Sequence, residues 1–204
     1  MSFETSPAYD RLLASDRHYH VVFLVVGGLF MLLLLLFSAF SWMRWKRARR
    51  RTFERRAFFS FGAVSLIFGL FMIVAFWANV TSVVNPRRTI AGTTFAPIGE
   101  AWLQSGSAQL SPPLQQAIDE RLAWQRPKAV ICTVLLMAFV TLAVLLWRRL
   151  LRQAATGEPS RKLGRRPLLC AAVLSAAACL LLMLMVIGNT ESAIEPLFPT
   201  VQSG

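Results

Sequence analysis

VVFLVVGGLFMLLLLLFSAFSWM, residues 21–43, followed at once by RWKRARRRTFERR, residues 44–56, decides the fold of this chain. The first stretch carries no Asp, Glu, Lys, Arg or His, and it exceeds the roughly 20 residues an α-helix needs to cross about 30 Å of hydrocarbon. It reads as a membrane span. Three stretches of the same kind follow, at 57–84, 129–147 and 168–189, again without an ionisable residue. A hydrophobic fraction of 55% and a mean hydropathy of +0.53 arise from these blocks and not from an amphipathic period. Within lipid every backbone polar group must be bonded internally, so each block is expected to be a helix. The fold class is an all-α integral membrane protein, a four-helix transmembrane bundle with a short helical extracytoplasmic loop.

Charge sets the expected orientation. The loops 44–56 and 148–167 hold fifteen of the 22 Lys and Arg, against two of the ten acids. Short basic loops stay on the cytoplasmic side during insertion, which leaves residues 1–20, the 85–128 loop and the 190–204 tail extracytoplasmic. The arginines of a +12 chain would otherwise suggest nucleic acid. Their position beside the spans makes topology the better account, and no specific nucleic-acid partner is expected. Juxtamembrane bases also attract anionic headgroups, by about 1 kcal/mol each. Arg47, Arg50, Arg51, Arg165 and Arg166 are the candidate lipid contacts. Arg87 and Arg88 break the charge rule and are expected to reach outer phosphates or to pair with Asp119 or Glu120. No cleaved signal peptide is expected, because the bases follow the first span where a signal peptide would place them ahead of it. The ends carry neither a myristoylation nor a prenylation signal.

Small residues predict where helices meet. Gly62, Ser65 and Gly69 fall on one face of the second span, and Ala171, Ser175 and Cys179, with Ala172 and Ala176 alongside, do the same in the fourth. Packing within the chain is preferred over a homodimer seam. Outside the spans, Ser6-Pro7 starts a helix that is either interfacial or an extension of span one, with Tyr19 at headgroup level. In the loop, Pro97–Gln104 and Ser111–Trp124 show helical spacing. With few apolar positions of its own, this loop is expected to lie on the ends of the spans, and Trp102, Leu114, Ile118 and Trp124 are the candidate partner contacts. The tail, with Pro196 and Pro199, is expected to be a non-helical surface segment.

The chemistry looked for does not assemble. His18 and His20 are two apart, do not face each other on a helix, and have no third His to complete a metal or haem site. Cys132, Cys170 and Cys179 contain no Cys-x-x-Cys unit, and only Cys132 with Cys179 could bridge, given a strong offset between helices. No Gly-x-Ser-x-Gly elbow, phosphate loop or His-Glu-x-x-His is present. No catalytic, cofactor or metal residue is therefore assigned. The expected role is a non-catalytic accessory or scaffolding subunit, bound to membrane lipids and to another integral membrane protein, in a bacterial inner membrane. The alternatives are a small permease or oligomeric channel, and a lipid-modifying enzyme acting at the outer interface through Glu100, Asp119 or His20.

Overall fold

The computed structural model describes residues 5–48, 53–156 and 162–202, with side chains omitted for 154–156 and 162–166. The chain is all-α: α1 Pro7–Arg47, α2 Phe53–Val84, α3 Pro86–Ala91, α4 Pro97–Ser105, α5 Pro112–Thr156, α6 Lys162–Ile194 and α7 Leu197–Gln202. Four of these helices, α1, α2, α5 and α6, are long and apolar enough to cross a membrane, which makes the molecule a four-helix transmembrane bundle.

The long helices exceed the spans read from hydropathy, for local reasons. α1 begins at Pro7, with the Ser6 hydroxyl accepting from the Tyr9 amide at 3.2 Å and Asp10 in the first turn, where the helix dipole favours an anion. It then runs unbroken for 41 residues, about 60 Å at ~1.5 Å per residue, so the segment before the first span is an extension of it. α5 joins the expected Ser111–Trp124 helix to the third span through Pro127. That proline removes one amide, which would have bonded the Ala123 carbonyl, and the turns on either side carry the helix through. α6 continues past Asn189 to Ile194, drawing Glu191 and Ser192 into its last turns.

The tail departs from its expected form. Residues 197–202 are helical, and Leu197, Phe198, Pro199, Thr200 and Val201 are buried. Pro196 precedes α7, and Pro199 sits in its first turn, where an amide has no intrahelical partner to lose. Proline there permits a helix, and the burial supplies the energy that so short a helix lacks alone.

The chain divides into two compact units, each built from several segments. One, the terminal unit, gathers Met1–Gly28, Ile73–Val130 and Ile187–Gly204. Its core is Tyr9 and Leu12 from α1, Ile90 from α3, Trp102 and Leu103 from α4, Leu114 and Ile118 from α5, and Leu197, Phe198 and Val201 from α7. The 85–128 segment therefore does contribute to a core; the apolar side chains it lacks are supplied by both ends of the chain. α4 packs on α7 at Gly99, where an added Cβ would stand 2.6 Å from Val201 Cγ1 and 2.9 Å from the Val201 carbonyl oxygen. The Ala96 amide donates to that carbonyl at 2.8 Å. α4 ends on Gly106 in the left-handed region at φ 68°, whose amide closes onto the Leu103 carbonyl.

The second unit, Leu29–Met72 with Ile131–Val186, is built from span segments. Gly62 lies under the Trp42 indole and Gly69 under Leu35, so the small face of α2 is filled by α1. Ser38 donates to the Gly62 carbonyl at 3.0 Å, a hydrogen bond between helices that the missing side chain allows. Phe61 of α2 meets Trp147 of α5 edge to face, with ring centroids 4.1 Å apart. Cys132 and Leu136 of α5 pack with Val186, Cys179 and Leu182 of α6 and with Phe30. All three cysteines are free thiols.

Candidate functional site

Polar chemistry gathers inside the terminal unit. Asp16 and His20 stand one turn apart on α1, so both side chains share a face. Asp16 is fully buried, and its Oδ1 lies 3.3 Å from His20 Nε2, at ion-pair distance but without the alignment of a hydrogen bond. On its other side His20 Nδ1 meets Asn79 Oδ1 of α2 at 2.6 Å. The Asn79 amide nitrogen donates to the Ala75 carbonyl at 2.8 Å, which fixes its oxygen toward the ring. Both ring nitrogens thus face oxygens, a setting that suits a protonated imidazolium paired with the buried Asp16.

A second layer surrounds the pair. Tyr19 lies beside buried Glu191 of α6, and its ring packs on Phe198 of α7 at 5.7 Å. The Ser15 hydroxyl donates to Glu195 Oε1 at 2.7 Å and accepts from the Phe198 amide at 3.0 Å. Arg121 of α5 reaches the Pro199 carbonyl at 2.9 Å. His18 points outward, 72% exposed, and its 3.8 Å approach to Glu195 adds little.

These groups tie α1 to α2, to α7 and to Glu195 just beyond α6, and tie α5 to α7. A His beside a carboxylate is the geometry of a general base, which acts on a water or substrate held in an adjoining concavity. Here Ser15 is committed on both sides and Asp16 has no exposed surface. Among the described residues, no three of His, Cys, Asp and Glu come together as metal ligands.

The residues singled out from the sequence are distributed differently. Trp102, Leu114 and Ile118, expected as partner contacts, are buried in the core instead, because the apolar face of α5 and the indole of α4 pack against α1 and α7. The Trp102 indole amine donates to the Gln109 carbonyl at 3.0 Å. Trp124 is 71% exposed, with Lys128 over its ring. Gly62, Ser65 and Gly69 are buried as one face. On α6 the inward stripe is Ala172 and Ser175, with Cys179 half-buried, and Ala171 is turned outward. Arg47 is exposed at the end of α1. Arg50 and Arg51 lie outside the described residues, as do the side chains of Arg165 and Arg166. Glu100, Asp119 and Glu120 are exposed and do not meet His20; Asp119 and Glu120 accept from Gln115 and Gln116 on their own helix.

The sequence shows Asp16 beside the histidines, and its four-residue spacing from His20 puts both on one helical face. What Asn79 and Glu191 pair with has no local signal, since their partners lie 59 and more than 170 positions away along the chain.

Fold and site together define a class, a four-span membrane protein with a buried polar cluster inside its terminal unit. Compared with known proteins, the chain matches no family model, no curated protein and no solved structure.

Proposed function

We propose that this chain is a non-catalytic accessory or scaffolding subunit of a membrane complex, held in a bacterial inner membrane with both ends and the 85–128 segment outside. The observation that carries the reading is the closed polar cluster. Groups that could serve catalysis or conduction hold helices together, with Asp16 shut away from solvent and Ser15 doubly engaged. A rigid unit of this kind presents a fixed surface. The side chains left for a partner are Trp124 on α5 and the apolar outer faces of the spans, such as Val25, Leu29, Val74 and Leu174. The small-residue face of α2 is occupied by α1, so a homodimer through Gly62 and Gly69 is disfavoured.

Affinity purification of the tagged chain in a mild detergent, with mass spectrometry and native sizing, tests this. A second membrane protein recovered at a fixed ratio, and lost when Trp124 is changed to Ala or Glu, supports the role. A monodisperse lone chain extracted from its native membrane overturns it.

A further inference from the structure

Trp77, Thr81 and Val84 follow at spacings of four and three on one face of α2, and Arg88 of α3, beyond the non-helical Asn85, lines the same groove. Asn85 makes the joint: its side chain accepts from the Arg88 amide at 3.4 Å and Pro86 opens α3. Along this face runs an open groove of about 720 Å³. Its walls are graded. Trp77, Val80 and Val84 give the apolar part on α2, and Asn85, Arg88 and Thr89 give the polar part at and beyond the helix end. Trp77 and Val84 are 69% and 77% exposed, far more than a packed interface would leave them.

Two further facts identify the occupant. The stretch 57–84 is about 42 Å long at ~1.5 Å per residue, longer than the ~30 Å hydrocarbon layer, so its outer end and Arg88 reach the headgroup zone while Val84 and Trp77 lead back toward the hydrocarbon. Arg87 and Arg88 are exposed, and among the described residues neither has a carboxylate at ion-pair distance, since Asp119 and Glu120 bond to glutamines. A free guanidinium above an apolar trough is complementary to a phosphate carrying an acyl chain.

We propose that this groove is a binding site for an anionic phospholipid, its phosphate on Arg88 and its acyl chain along Val84 and Trp77. Arg87 supplies the additional positive field that favours a net negative headgroup over a zwitterionic one. The site is distinct from the basic-loop arginines and does not depend on the accessory role.

The full chain, reconstituted in phosphatidylcholine nanodiscs, is exposed to a trace of photoactivatable phosphatidylglycerol, and crosslinks are mapped by mass spectrometry. Labelling is expected between residues 77 and 89, and to fall about tenfold in Arg88→Gln, the loss of one charge-assisted contact, while Arg88→Lys keeps part of it and basic-loop labelling stays constant. Arg88 is exposed, so the folded state survives, and equal unfolding midpoints confirm it. The proposal is overturned by unchanged labelling in Arg88→Gln. It is equally overturned in the wild-type chain if a matching phosphatidylcholine probe labels as strongly, which marks a generic lipid contact, or if inorganic phosphate competes as well as lipid, which marks a free-anion site.

Discussion

Gly99 stands in the first turn of α4, where alanine would ordinarily favour the helix by up to about 0.5–1 kcal/mol. Here the sign reverses. The new Cβ would fall within 3 Å of both Val201 Cγ1 and the Val201 carbonyl oxygen, and that backbone is pinned by the Ala96 amide. Gly99→Ala should destabilise the protein by about 1–3 kcal/mol, the usual cost of overpacking, read as a lower unfolding midpoint in detergent. Gly92→Ala, at a position with nothing within 4 Å and an ordinary φ of −100°, should stay within about 0.5 kcal/mol of wild type. The Asp16–His20 pair gives a second test at this scale. His20→Gln leaves a fully buried carboxylate without its cation and should cost about 3 kcal/mol or more. Asp16→Asn combined with His20→Gln removes both charges and should recover most of that loss, so a double-mutant cycle in unfolding free energy measures the coupling. A double variant no more stable than His20→Gln alone would remove the ion pair from the account of this site.

At the scale of elements, α7 shows what holds a short helix. Six residues do not form a stable helix in isolation. This one is fixed by Ser15 at its first amides, by Arg121 at the Pro199 carbonyl, and by the α4 backbone at Val201. Ser15→Ala strands the buried Phe198 amide and releases Glu195, and should cost about 1–3 kcal/mol. Limited proteolysis should then cut the tail first, while the spans stay protected; equal protection of the tail in the variant would show that burial alone holds α7. This element also marks how far the sequence can be read. The spans were legible because hydropathy is a local property, and the helical spacing of Pro97–Gln104 was realised as α4. α7 was not legible, because Pro196 and Pro199 carry a local signal against helix while the compensation comes from α1, α4 and α5, far away in sequence. The same non-locality hid the core. Trp102, Leu114 and Ile118 were visible as an apolar face, but what they face, Leu12 and Phe198, is set by the three-dimensional fold.

For the whole molecule, the strongest constraint is that both termini and the 85–128 segment form one compact unit with one hydrophobic core. Two ends of a chain can share a core outside the lipid only if they lie on the same side, which four spans provide and an odd number does not. The proposed orientation rests on charge: the two loops that hold fifteen of the 22 Lys and Arg are expected to stay cytoplasmic by the positive-inside rule. The prediction has two separable parts: the shared core requires one common side, and charge proposes which side that is. In a background with Cys132, Cys170 and Cys179 replaced, a cysteine at exposed Gln202 or Gln104 should react with a membrane-impermeant maleimide in intact cells, and one at Arg47 only after lysis. Labelling of Gln202 and Gln104 together, on the opposite side, would preserve the shared core and reverse the orientation. Labelling of one and not the other would break the terminal unit itself, since a core joining α4 to α7 cannot be divided by a bilayer.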